Sequence, residues 1–134
     1  MNPYSSTTIK SVFQKYGIRP KKYLGQNFVV NKSVIDNIIK AADLNADDTV
    51  IEVGPGLGAL TIELAKKVKQ VIAVEKDAVL CKILADILQA NDIKNVIIIC
   101  KDVLNFQFSI FPPKADQPWA GNFQSKSKLQ NPNH

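Results

Sequence analysis

Glu52-Val53-Gly54-Pro55-Gly56-Leu57-Gly58-Ala59 is the stretch whose reading decides the fold of this chain. Thr49–Val53, leading into it, reads as a short strand. Leu57–Val68, leading out, places Leu57, Leu60, Leu64, Ala65 and Val68 at helical spacing. A strand that runs into glycines and then a helix opens a parallel α/β unit. The glycines permit a tight turn and let a ligand approach the backbone, and the helix start offers free N–H groups.

The pattern repeats outward. Gln70–Glu75 is nearly all apolar, as in a strand covered on both faces. Asp77 is placed to cap the next helix, where Leu80, Ile83, Leu84, Ile87 and Leu88 follow the i, i+3, i+4, i+7, i+8 pattern. Asn95–Cys100 is a third buried strand. The order β-α-β-α-β with short connections predicts right-handed crossovers and a parallel sheet. Upstream, Ile9, Val12, Phe13 and Tyr16 give a helix over 7–16 that stops at Gly17. Ile18–Phe28 is a polar loop. Ser33-x-x-Asp36 reads as a capping box for a helix with Val34, Ile35, Ile38, Ile39 and Ala42 on one apolar face. From about Phe111, Pro112, Pro113 and Pro118 break regular structure, and a disordered tail is expected. The expected organisation is a basic arm and loop over 1–31, an α/β portion over 32–110 and a divergent tail over 111–134.

The chain has 134 residues, 46% hydrophobic and 22% charged, an ordinary globular balance. The lone histidine is His134, which argues against histidine acid–base chemistry, and no metal site is expected. Cys81 and Cys100, in apolar surroundings, read as reduced, buried thiols of a cytoplasmic protein. No apolar run is long enough for a membrane span, and no secretory signal is evident. The net charge of +5 is uneven: residues 1–40 hold seven basic residues against Asp36 alone. A near-neutral body with a basic arm suits a polyanion such as RNA, or simply a solvated surface.

Glu75 ends the second strand about twenty residues past the glycine turn, where a carboxylate can accept from both ribose hydroxyls. A dinucleotide or S-adenosylmethionine could use this layout, and a purely structural turn is the remaining alternative. Three features favour S-adenosylmethionine. Glu52, two residues before Gly54, can face a cationic amino group. The glycines run Gly54-x-Gly56-x-Gly58. Asp102 follows the third strand, where it could accept from an adenine amino group. A dinucleotide oxidoreductase would account for Gly54, Gly56, Ala59 and Glu75 but not for Arg19–Phe28.

Tyr16-Gly17-Ile18-Arg19-Pro20-Lys21-Lys22-Tyr23-Leu24-Gly25-Gln26-Asn27-Phe28 resembles the N-terminal signature of the ribosomal RNA adenine dimethyltransferases of the KsgA type, related to the Erm methyltransferases. Glu52–Thr61, EVGPGLGALT, resembles their cofactor motif, and the likeness covers about residues 5–110. It implies a class I, Rossmann-like methyltransferase fold and S-adenosylmethionine. It also implies N6-dimethylation of two adjacent adenosines near the 3′ end of small-subunit rRNA. By position, Asn27 and Val29 would lie against the cofactor, with Gln26 supporting their loop. Gly54 and Gly56 would form the methionine-side turn, Glu75 would hold the ribose and Asp102 the adenine. Arg19, Lys21 and Lys22 would meet RNA.

The family's fourth motif, Asn-Leu-Pro-Tyr, supplies acceptors for the target amino group and a stacking face for the flipped base. Gly121-Asn122 matches its entry and makes Asn122 the catalytic and further cofactor candidate, but Phe123-Gln124-Ser125 departs from it. The family's sheet order is 3-2-1-4-5-7-6. The chain is therefore expected to be an N-terminal portion holding strands 3-2-1 and a stub of strand 4, inactive alone. Its strand-1 edge would be open to self-association. The alternative is a non-catalytic RNA-binding module using the basic arm.

Overall fold

The computed structural model describes residues 5–19 and 31–105. Two helices, α1 (Ser6–Lys15) and α2 (Lys32–Ala42), precede the α/β portion. It runs β1 (Thr49–Val53), α3 (Ala59–Ala65), β2 (Gln70–Glu75), α4 (Ala78–Ala90) and β3 (Val96–Cys100), and ends in a 3-10 turn over Val103–Asn105. The three strands form one sheet in the order β1-β2-β3. Both pairings are parallel, with Val53 opposite Val74 and Glu75 opposite Cys100.

A sheet that adds strands in sequence order, with right-handed crossovers, puts successive crossover helices on one face. The packing agrees. Val71 contacts Leu64 of α3 and Val68 in the turn after it, and Ala73 contacts Leu84 and Leu88 of α4. Val71 and Ala73 are two apart and share a face. Ile72 and Val74, on the opposite face, are buried as well, so β2 is covered on both sides. Asn95 seals the far end of this layer. Its Nδ2 donates to the carbonyls of Ala65 at 2.8 Å and Val68 at 3.2 Å, acceptors left open where α3 stops.

Ile9 and Phe13 of α1 and Ile35 of α2 are buried in one cluster with Leu57, Ala59, Leu80 and Ile83. The N-terminal helix is thereby docked beside the glycine turn and the start of α4. The Tyr16 hydroxyl donates to Asp86 Oδ2 on α4 and fixes the end of α1. That bond, together with burial and the Asp86 charge, raises the Tyr16 phenol above its ordinary value.

Three expectations change. The cap of α2 is Asn31, whose side chain accepts from the Ser33 N–H at 2.9 Å, and Asp36 instead pairs with Lys32. Asn and Ser are equally good caps, and local pattern does not choose between them. The apolar face of α2 is only partly covered: Ile35 is buried, whereas Val34 and Ile38 are 52% and 45% exposed. The helix after the glycine turn begins at Ala59, with Gly58 as its cap. The stub of strand 4 and the tail over 111–134 lie outside the described residues. Among those residues, β1 pairs on one side only, and Val53 is 56% exposed.

Candidate cofactor site at the strand ends

The parallel sheet brings the C-terminal ends of its strands to one rim, where ligands of open α/β sheets bind. Gly54, Gly56 and Gly58 all adopt positive φ, at +69°, +57° and +85°. Their surroundings differ. A Cβ on Gly54 would meet nothing within 4 Å, so its backbone faces open space. A Cβ on Gly58 would come within 2.5 Å of Leu84 Cδ1, so Gly58 lets the turn pack onto α4. One glycine gives access and another gives close packing.

The acidic residues line this rim. Glu75, the last residue of β2, is buried. Its Oε1 accepts from the Asp77 N–H at 3.0 Å and its Oε2 from the Gly56 N–H at 3.4 Å. The carboxylate thus ties the glycine turn to the start of α4, where Asp77 Oδ1 accepts from the N–H groups of Val79 and Leu80. Glu52, near the end of β1, accepts from the Thr61 hydroxyl at 2.6 Å. Burial pushes the Glu52 carboxyl above its ordinary value, and the Thr61 bond acts in the opposite direction. Asp102 stands two residues past β3. Its Oδ1 accepts from the Leu104 N–H at 3.0 Å and shapes the 3-10 turn.

The structure therefore gathers Glu52, Gly54, Gly56 and Glu75 around the glycine turn and places Asp102 just past the end of β3. Arg19 is exposed just beyond α1, after a reversal in which the Ile18 N–H donates to the Phe13 carbonyl. Lys21, Lys22, Gln26, Asn27, Val29 and Asn122 lie outside the described residues.

Sequence reasoning passed over Thr61, although it closes the EVGPGLGALT stretch. It is fully buried on α3 and orients Glu52. The reading of the cysteines is corrected. Cys81 and Cys100 are joined in a disulfide, with Cα atoms 6.1 Å apart, and only Cys81 is buried. The register explains it. Cys100 ends β3 opposite Glu75, and the chain leaving Glu75 reaches Cys81 in the first turn and a half of α4. Among the described residues no group of three or more acidic, histidine or cysteine side chains is placed to hold a metal, and no helix is long and apolar enough to cross a membrane.

The sequence profile of the family described as "Ribosomal RNA adenine dimethylase" matches residues 17–129. The chain belongs to the ribosomal RNA adenine dimethylase family. The match reaches past residue 110 and takes in Asn122. A curated relative, "Ribosomal RNA small subunit methyltransferase A" of Leuconostoc mesenteroides, is 46% identical over 98 residues, 73% of this chain and 32% of the relative. The chain thus spans about a third of the length of such dimethylase relatives. Among solved structures, a dimethyladenosine transferase from Plasmodium falciparum superposes with a TM-score of 0.56 at 28% identity, over 58% of this chain and 28% of that one. The 23S rRNA methyltransferase ErmE superposes with a TM-score of 0.53 at 35% identity, over 58% and 31%. The Rossmann-like fold of the class I methyltransferases is thereby shown for the described sheet.

Proposed function

We propose that this dimethylase-family chain binds S-adenosylmethionine at the strand-end rim and serves N6-dimethylation of two adjacent adenosines near the 3′ end of small-subunit rRNA. The observation that carries the reading is the buried Glu75 carboxylate tied to an accessible glycine turn, with Glu52 near the end of β1 and Asp102 just past β3. Glu75 is buried and braced by two backbone N–H groups, which leaves further lone pairs for two ribose hydroxyls. Glu52 offers a carboxylate to the cofactor's ammonium, and Asp102 an acceptor to the adenine amino group. The open backbone at Gly54 gives the methionine half room to approach. The bound cofactor supplies an activated methyl on a sulfonium. The protein's share is to hold it in line with the lone pair of the target nitrogen, which is catalysis by positioning and needs no histidine. Gln26, Asn27 and Val29 are assigned to the same pocket, and Asn122 to the target amino group.

Arg19, Lys21 and Lys22 belong to the stretch that carries the whole excess of positive charge and are assigned to the rRNA backbone. That charge also supports a second reading, RNA binding by the arm without catalysis. It predicts RNA affinity that falls steeply with salt and ignores cofactor. A cytoplasmic setting and self-association through the open β1 edge complete the proposal.

Photocrosslinking with radiolabelled S-adenosylmethionine, mapped by mass spectrometry, tests it. The label is expected on peptides holding Glu52–Gly58, Glu75 or Asp102, and S-adenosylhomocysteine should suppress it. Label suppressed by NAD but not by S-adenosylhomocysteine would overturn the reading.

A further inference from the structure

We propose that Cys81 and Cys100 form a thiol–disulfide exchange site that sets how tightly the neighbouring pocket holds the adenosine half of its cofactor. The proposal rests on the S-adenosylmethionine reading of that pocket. Three observations carry it. Cys100 ends β3 in register with Glu75, and Asp102 follows two residues later. Cys81 belongs to α4, whose first turn begins beside the N–H that braces Glu75. Cys81 Sγ also lies 3.3 Å from the Glu75 carbonyl oxygen. The pair thus ties the end of β3, two residues before Asp102, to α4 at a point against the Glu75 carbonyl.

The two redox states differ at this rim. Bridged, the sulfurs clamp the end of β3 to α4 and hold the backbone of Glu75 and the approach to Asp102 in fixed relation. Reduced, the clamp is gone, and an S–H donor faces the Glu75 carbonyl. A prearranged pocket binds more tightly because less ordering remains to be done on binding. The bridged form is therefore the tighter binder.

The reagent class is a small-molecule disulfide. The exposed Cys100 thiolate attacks one of its sulfurs, forming a mixed disulfide and releasing one thiol. The Cys81 thiolate then displaces the second thiol and closes the bridge. The two protein thiols lose two electrons and two protons, and the reagent is reduced to two thiols. In a reducing compartment such a bridge is transient and suited to sensing.

The test equilibrates the full 134-residue chain in glutathione redox buffers, with and without saturating S-adenosylmethionine, and reads the bridged fraction by alkylation and mass spectrometry. Calorimetry measures cofactor affinity for each form. About tenfold tighter binding to the bridged form is expected, and by reciprocity saturating cofactor lowers the midpoint potential by about 30 mV. The Cys81→Ser/Cys100→Ser variant should bind like the reduced chain in every buffer. Free thiols that never bridge, or measurable binding with an unmoved potential, would overturn this proposal alone. No cofactor binding by either form would overturn the pocket reading as well, and the coupling with it.

Discussion

Replacing Thr61 with valine tests how the glycine-turn carboxylate is held. Valine keeps the shape of the side chain but removes the hydroxyl that donates to Glu52 at 2.6 Å. Thr61 is fully buried, whereas Glu52 is half-buried, so water can take over only part of the lost bond. Burial already raises the Glu52 carboxyl, and the folded chain therefore holds that proton more tightly than the unfolded chain does. The sign follows: the contribution of Glu52 to stability falls as pH rises from the ordinary carboxyl range through the raised folded value. The Thr61 bond limits that loss. Losing a bond to the neutral carboxyl costs about 0.5–1.5 kcal/mol, and losing one to the ionised carboxylate about 1.5–3 kcal/mol. Thr61→Val should therefore destabilise the chain by about 1 kcal/mol more at pH ~8 than at pH ~4. Urea unfolding of both proteins at the two pH values measures this. Equal destabilisation at both, or a larger effect in acid, would refute the reasoning.

Gly58→Ala combines a left-handed backbone with a Cβ that would lie 2.5 Å from Leu84 Cδ1, and should cost about 2–5 kcal/mol by thermal unfolding. The same substitution at Gly54 meets open space, so it should cost only the backbone term, about 1–2 kcal/mol, while weakening cofactor binding. Tyr16→Phe removes the hydroxyl bond to Asp86 and should cost about 1 kcal/mol, with faster amide exchange confined to α1. If the open β1 edge recruits a second copy, the melting temperature should rise with protein concentration; a constant value from dilute to concentrated solution would contradict that.

Much of the fold was legible because two signals agree at each step. The apolar run Gln70–Glu75 marks a strand buried on both faces, and the glycines after Val53 mark where the first strand must turn. The strand order 3-2-1 comes from the family resemblance, and crossover handedness then puts both crossover helices on one face of the sheet. What was not legible depends on partners distant in sequence. The periodicity of α2 shows which face is apolar but not whether anything covers Val34 and Ile38. The Cys81–Cys100 bridge needs the register of β3 against β2, which neither cysteine's neighbours reveal. Thr61 is one apolar-face position among several until the turn at Gly54–Gly58 folds α3 back toward Glu52. The positions of Glu75 at the end of β2 and of Asp102 just past β3 were legible because the apolar runs before them mark where each strand stops.

The central claim is that the rim of Glu52, Gly54, Gly56, Glu75 and Asp102 is an S-adenosylmethionine pocket. Isothermal titration of the chain with S-adenosylmethionine, beside the Glu75→Ala variant and beside NAD, tests it most directly. The account predicts a saturable one-to-one isotherm for S-adenosylmethionine, lost in Glu75→Ala while the circular dichroism spectrum is kept, and no heat from NAD. Saturable binding of NAD without binding of S-adenosylmethionine, or undiminished S-adenosylmethionine binding by Glu75→Ala, would contradict it.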